Sequence, residues 1–131
     1  MARRLTALVL AVLAVAGCGG SDKDDANQAV RNFIKANNER DADKLCDDLL
    51  SKDFIEQATG ATGGRARTVC KQQFKQLRAL KRRLLRIVKT EVDGDRATVR
   101  AVIEVQRQPQ PQVFRLKKED SDWRLAGGSG G

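Results

Sequence analysis

The apolar residues of this chain change their spacing once, near Leu84, and this change limits the folds that the chain can form. Before that point they recur every three or four residues, which is typical of amphipathic helices. After it they alternate with polar residues, as in half-buried strands, most clearly from Arg96 to Val105. Helices followed by strands predict an α+β domain, with N-terminal helices packed on one face of an antiparallel sheet.

The helical part divides into three predicted helices. The first begins at Asp25 and ends near Asn38, and the second begins near Asp41. The third begins near Arg65, after a glycine-rich loop, and reaches about Leu80. The predicted strands cover 85–92, 96–105, 113–118 and 123–125.

Turn residues separate the predicted strands. Asp93-Gly94-Asp95 favours a hairpin between the first two strands. Pro109 and Pro111 are expected to interrupt the next connection, because proline cannot donate to a strand ladder. The glycine-rich residues 126–131 are expected to form a disordered tail.

The N-terminus carries a short apolar block, Leu5 to Ala16, preceded by Arg3 and Arg4. As a helix the block would span roughly 18 Å, at about 1.5 Å per residue. A bilayer core is about 30 Å thick, so the block is short for a membrane span. A positive flank followed by an apolar segment and small residues predicts a signal peptide over residues 1–17.

The end of this block, Val15-Ala16-Gly17-Cys18, resembles the bacterial lipobox. The resemblance implies cleavage before Cys18 and acylation of its thiol, which makes Cys18 the lipidation site. Two or more acyl chains anchor a protein stably where one does not. We therefore expect an exported chain held on the outer face of the bacterial cell membrane, with residues 18–25 as a flexible tether. The alternative is an ordinary signal peptide with a chance cysteine.

Two further cysteines, Cys46 and Cys70, would meet an oxidising compartment after export. Both lie on apolar helix faces, and a disulfide between them is the favoured interpretation. Two reduced core cysteines remain an alternative, as does metal or redox chemistry. The chain has no histidine and no CxxC spacing, so a closed metal site is difficult to build, and neither a metal nor a cofactor is predicted.

The predicted mature chain is basic, with 23 lysines and arginines against 17 acidic residues. Along the third helix, cations at spacings of four, three and four define a basic stripe. Its residues are Lys71, Lys75, Arg78 and Arg82. The stripe is either a solvated helix face or a contact site for anionic lipid or an acidic wall polymer. Nucleic acid is not predicted, because the export signal and the few aromatic residues argue against it.

Candidates for catalysis are few. The chain lacks histidine, the commonest general base, and tyrosine, a common phenolic donor. Glu104 stands within an apolar strand but alternates away from the Ile103 face, so a solvated or interface glutamate is favoured over a catalytic acid. Ser51 and Ser121 have no histidine to activate them. No catalytic residue is predicted, and the protein is not expected to be an enzyme.

The order of elements and three segments resemble the nuclear-transport-factor-2-like superfamily of cone-shaped α+β domains. These segments are AVRNFIKANNERDADKLCDDLL, VDGDRATVRAVI and FRLKKEDSDWRL, and the likeness covers residues 26–125. Within the superfamily the chain is most similar to small exported bacterial lipoproteins. The resemblance implies a curved sheet around the first helix, an apolar pocket at the wide end, and a homodimer in many members.

Three functions follow from these features. The first is a noncatalytic, membrane-anchored module that binds a small apolar ligand or a protein partner. The second is an accessory or structural envelope protein that contacts anionic lipid or wall polymer through the basic stripe. The third is an isomerase- or cyclase-like enzyme, because the superfamily contains such members.

Overall fold

The computed structural model describes residues 19–78 and 80–130, and Cys18 and the predicted signal peptide lie outside them. The described residues form four α-helices, a π-helical turn and four strands. The helical elements are α1 (Gly19–Glu39), α2 (Ala42–Lys44), the π-helical turn (Leu45–Leu49), α3 (Lys52–Thr59) and α4 (Gly63–Gln76). The strands are β1 (Arg82–Asp93), β2 (Arg96–Val105), β3 (Gln108–Glu119) and β4 (Asp122–Gly130).

The strands form one antiparallel sheet in sequence order, so the predicted α+β fold class is confirmed. Each hairpin has a tight turn that contains residues with positive φ. Examples are Gly94 in the first turn and Gln106-Arg107 in the second. Register shifts near Leu84 and Ile87 interrupt the pairing of β1 with β2. Such bulges bend a strand and increase its twist, and they contribute to a curved sheet.

The helix α1 packs in the concave face of this sheet. Its buried face carries Ala26, Ala29, Val30 and Ile34, as the helical spacing predicts. The sheet supplies the alternating residues of β2 and the inward side chains of β3 and β4. These are Ala97, Val99, Ala101, Ile103, Phe114, Leu116, Trp123 and Leu125. A second cluster joins the end of α1 to the π-helical turn through Ala36, Leu45, Cys46 and Leu49.

The start of α1 differs from the expected flexible tether. The helix begins at Gly19, so all but the first residue of the 18–25 segment is helical. The Asp22 carboxylate lies 3.1 Å from Lys118 Nζ on β3, which ties the first helical turn to the sheet. A negative charge in the first turn also favours the helix N-terminus. Long-range ion pairing therefore supports helix in a segment whose composition suggested coil.

The C-terminal segment predicted to be a disordered tail is part of a strand in the structure. Residues up to Gly130 belong to β4, whose last pair is Gln112 with Gly130. Backbone hydrogen bonds to β3 need no side chains, so glycines can extend the strand once a partner strand is present.

The two prolines lie inside β3 rather than in a connection. Pro109 and Pro111 pair with Glu104 and Val102 of β2. On the other side of β3, the described pairing with β4 runs as far as Gln112 and Gly130, so residues 108–111 have no partner there among the described residues. Proline is tolerated where one side of a strand has no partner, because no ladder hydrogen bond is required on that side.

Candidate functional site

A cavity of about 390 Å³ lies between the end of α1, the short helices and the sheet. We call it the central cavity. Pockets for drug-sized ligands range over about 300–1,000 Å³, so its volume suits a small molecule. Its lining is mainly apolar and comes from every layer of the fold. The lining residues are Phe33, Asn37, Leu45, Cys46, Leu50, Phe54, Cys70, Phe74, Leu77, Arg82, Gln112, Phe114, Leu125, Gly127 and Gly128.

Two phenylalanines hold the inner wall of the central cavity. The rings of Phe33 on α1 and Phe114 on β3 meet edge to face, with their centroids 6.2 Å apart. This geometry is a favoured one for aromatic pairs. The contact fixes the position of α1 over the sheet where the cavity begins.

A disulfide between Cys46 and Cys70 forms another part of the wall, as predicted. It joins the π-helical turn to α4, with the two Cα atoms 6.1 Å apart. This separation is ordinary for a disulfide. Cys46 is fully buried in the π-helical turn, whereas Ala66 is the buried residue of α4. Because α4 buries so little of its own surface, the bridge to Cys46 helps to hold it against the rest of the fold.

Arg82 is the cationic residue of the central cavity. It is the first residue of β1 and pairs with Val105, while Leu84, two residues on, pairs with the buried Ile103. The Arg82 side chain therefore starts on the concave face of the sheet. The Asn38 side chain fixes this position: Arg82 N donates to Asn38 Oδ1 at 2.8 Å, and Asn38 Nδ2 donates to Arg82 O at 2.6 Å.

The Arg82 guanidinium is incompletely bonded. Its Nε is buried and has no hydrogen-bond acceptor within residues 19–78 and 80–130. The guanidinium has no ion pair with a described carboxylate, and no described acidic residue lines the central cavity. The cavity thus combines an apolar wall with one cationic side chain.

A second space, of about 460 Å³, adjoins the central cavity, and we call it the mouth. The two share Asn37, Phe74, Leu77, Arg82 and Gln112. The lining of the mouth adds Arg78, Leu80, Ile103, Val105, Gln106 and Gln110. The described lining of the mouth, like that of the central cavity, contains no carboxylate.

The basic stripe does not form a continuous helix face. α4 ends at Gln76, so Arg78 and Arg82 lie beyond it. Lys71 Nζ lies 2.8 Å from Asp47 and 3.5 Å from Asp43. The hydrogen bond to Asp47 raises the pKa of the Lys71 ammonium above its usual value. The four predicted anion contacts are therefore separated: one is ion-paired, Lys75 is exposed on α4, and the other two lie at the cavity.

Arg40 caps the C-terminal end of α4. Its Nη2 donates to the carbonyl oxygens of Phe74, Lys75 and Leu77, at 3.3, 3.2 and 2.7 Å. The last carbonyls of a helix lack partners within the helix, so a long cationic side chain can satisfy them. The guanidinium also lies 5.6 Å from the centre of the Phe74 ring. Arg40 stands 34 residues before Phe74, so helical periodicity gave no signal of this contact.

Cations are more frequent near the mouth, and acidic residues are more frequent at the opposite end of the molecule. Hydrogen bonds of Asn38 to Arg82 place the start of β1 beside the C-terminal end of α1, while the Lys118–Asp22 pair places the β3–β4 turn beside its N-terminus. The acidic end, around the N-terminus of α1, carries Asp22, Asp24, Asp25, Asp93, Asp95, Glu119, Asp120 and Asp122. The basic end, near the mouth, carries Arg40, Lys75, Arg78, Lys81, Arg82, Arg83 and Arg107, together with the acidic residues Glu39 and Asp41.

The remaining sequence candidates have structural roles. Glu104 pairs with Arg83 at 3.2 Å, consistent with a partly solvated glutamate. Ser51 caps α3, with its Oγ accepting a hydrogen bond from Phe54 N at 3.2 Å. Ser121 is exposed in the β3–β4 turn. In the glycine-rich loop, Gly60 ends α3 at φ +71°, a conformation that favours glycine.

Residues 19–78 and 80–130 contain no group of three or more side chains suited to hold a metal. Their helices include none long and apolar enough to cross a bilayer.

Similarity to known proteins lies in the fold. No family model matches the chain, and no curated protein has a significantly similar sequence. A candidate aromatic ring hydroxylase from Novosphingobium aromaticivorans superposes with a TM-score of 0.59 at 16% identity, over 88% of this chain and 96% of that one. A designed nuclear-transport-factor-2 protein superposes with a TM-score of 0.54 at 14% identity, over 84% of this chain and 99% of that one.

A de novo designed protein with a curved β-sheet gives a TM-score of 0.50 at 17% identity, over 79% of this chain and 95% of that one. At such identities the likeness shows the fold alone. The chain therefore has the nuclear-transport-factor-2-like fold predicted from its element order. Its function depends on the side chains of its own cavity.

Proposed function

We propose that this protein is an exported lipoprotein, anchored through Cys18, whose central cavity binds a small apolar molecule without chemical change. The lipobox-like sequence Val15-Ala16-Gly17-Cys18 supports the anchor. The observation that carries the binding function is the cavity of about 390 Å³ with its mainly apolar wall. Burial of apolar ligand surface in such a wall contributes about 25 cal/mol per Å² before the costs of binding.

Binding is favoured over catalysis by the residues at the cavity. General acid–base chemistry needs a group that can take up or release a proton near neutral pH. The lining contains no described carboxylate, and the whole chain contains no histidine or tyrosine. Arg82 can bind or orient an anion, but a guanidinium group is a poor proton carrier.

The position of the anchor favours a cavity that opens away from the membrane. α1 begins at Gly19, immediately after Cys18, and Asn37 at the cavity is on the same helix. The helix between Gly19 and Asn37 is about 27 Å long, at about 1.5 Å per residue. The acidic end would then face the lipid headgroups and the basic end would face outward. This orientation argues against contact of the basic end with the protein's own membrane.

The basic end does support a second candidate function, contact with an acidic polymer outside the membrane. Arg78 and Arg82 line the mouth, and further cations of the basic end lie on the surface near it. Such contact would weaken steeply as salt rises, because exposed charges are screened over about 8 Å at physiological ionic strength. Salt screens interactions inside the cavity less than interactions at the surface, so the affinity of a small ligand should depend less on salt. Affinities measured over a series of salt concentrations therefore separate the two functions.

Occupation of the mouth is expected to weaken binding of a neutral apolar probe. Leu77 lines both spaces and its residue surface is 62% exposed, so Leu77→Trp can extend into the mouth without disturbing the core. We expect several-fold weaker binding of N-phenyl-1-naphthylamine, measured by fluorescence. Val88→Trp is the control, because Val88 is 59% exposed and lines neither space. Equal affinity in both variants would place the probe outside the cavity.

Replacement of Cys18 is expected to abolish anchoring. Cys18→Ala should leave an uncleaved precursor that takes up no label from a fatty-acid probe, because the acylated thiol is missing. The control is the double variant Cys46→Ala with Cys70→Ala, which should still label if its precursor is exported. Unchanged labelling of the Cys18 variant would refute the lipoprotein assignment.

A further inference from the structure

The cation at the cavity suggests the chemical class of the ligand. Arg82 is partly buried on the concave face of the sheet, between the apolar central cavity and the more polar mouth. A buried or half-buried cation is costly unless an anion or several acceptors compensate it. The residues around Arg82 therefore show whether the protein itself provides an anion or enough acceptors for this guanidinium.

Glu39, an exposed carboxylate at the end of α1, lines a separate space with Arg82 but forms no ion pair with it. The other described carboxylates near the basic end are bonded elsewhere. Glu104 pairs with Arg83, on the opposite side of the strand from Arg82. Asp41 accepts a hydrogen bond from Lys44 N at 3.0 Å at the start of α2. Arg82 forms no ion pair with any carboxylate of the described residues, and its buried Nε has no acceptor among them.

The other polar groups at the junction are uncharged or cationic. Arg78 adds a second guanidinium at the mouth, and Gln110 and Gln112 follow on the inward face of β3, in register with Ile103 and Ala101. Amide and guanidinium groups together can donate several hydrogen bonds to one anionic group. The guanidinium fork matches the geometry of carboxylate and phosphate oxygens.

We propose that the ligand is an anionic amphiphile, with its carboxylate or phosphate on Arg82 and its apolar tail along Phe33 and Phe114. This inference rests on the proposed binding function and specifies its ligand class. Arg78 lies farther out at the mouth and adds to the positive potential there. The tail occupies the central cavity, where the lining is mainly apolar.

The first test compares ligands that share a tail and differ in the head group. Dodecanoate, dodecyl phosphate and dodecan-1-ol would each displace N-phenyl-1-naphthylamine from residues 19–131, secreted without lipid. All described helices, strands and core contacts lie within this segment, and circular dichroism checks its folding. We expect at least one anion to bind about tenfold or more tightly than the alcohol, as a charge-assisted hydrogen bond allows. The better anion identifies the head group.

The second test uses Arg82→Gln with Arg83→Gln as its matched control. Arg83 is the next residue along β1 and has an exposed side chain paired with Glu104, so the control removes the same charge outside the cavity. Arg82→Gln should weaken binding of the preferred anion about ten- to a hundredfold and leave dodecan-1-ol unchanged. Arg82→Lys should retain part of the affinity, because it keeps the charge and loses the fork.

The outcomes separate this inference from the proposed function. If the alcohol binds wild-type protein as tightly as both anions, the cavity is a binding site but the anionic ligand class is wrong. If neither the probe nor any of the three ligands binds, the proposed binding function itself fails. Equal losses in Arg82→Gln and Arg83→Gln would assign the effect to general charge and overturn the role of Arg82.

Discussion

Loss of the Cys46–Cys70 disulfide is expected to lower the free energy of unfolding by about 3.5 kcal/mol, from the chain-entropy relation for a closed loop of this length. The bridged residues are 24 positions apart. For a domain of this size the change corresponds to a melting temperature lower by about 10–20 °C. The double variant Cys46→Ala with Cys70→Ala, measured by thermal circular dichroism, tests this value.

Two further measurements check whether the disulfide causes the expected loss of stability. Reduction of the wild-type protein should lower its melting temperature by a similar amount, and the reduced variant should show no further change. The unreduced, denatured mature domain should have no titratable thiol at Cys46 or Cys70. A double variant that melts with the wild-type protein would show that packing, rather than the bridge, holds α4 in place.

Replacement of Phe114 by alanine is expected to cost about 3 kcal/mol, near the lower end for a buried phenylalanine. Phe114 is 3% exposed and belongs to the main core cluster. The variant removes its edge-to-face contact with Phe33 and enlarges the central cavity. The lower end is expected because one side of the ring already borders empty space. Urea unfolding measures the change.

The neighbouring residue provides the control for Phe114. Val113 follows the alternation of β3 to the other face of the sheet and is only half-buried. Val113→Ala should therefore cost about 1 kcal/mol or less. Equal costs at the two positions would contradict the assignment of Phe114 to the concave face. If Phe114→Ala keeps its fold, it should also change the affinity for the apolar probe, whereas Val113→Ala should not.

The two predictions concern walls of the same cavity. The disulfide holds α4 and the π-helical turn on one side, and the aromatic pair holds α1 to the sheet on the other. Both constraints join residues far apart in the chain and hold walls of the cavity in place before a ligand binds. Preorganisation reduces the ordering cost of ligand binding.

Local pattern was sufficient to predict the fold class and the disulfide. The spacing of Ala26, Ala29 and Val30 identified the inner face of α1, and the alternation of β2 identified the face that carries Ile103. These signals are local because a helix or strand repeats its buried face at a fixed period along the chain. The export signal and the lipidation of Cys18 rest on the same kind of local pattern, and they stay predictions.

Only the tertiary structure decided where the elements end and which residues meet at the cavity. Arg40 satisfies the end of α4, Asp22 ties the first turn of α1 to Lys118, and β3 supplies a partner for the glycines of β4. The same holds for Arg82, which the sequence placed on a helical stripe and the structure places on a strand, in the lining of the cavity that Phe114 also lines. Each of these contacts joins residues far apart in the chain, and no short-range periodicity records which distant partner will satisfy a charge or a backbone group.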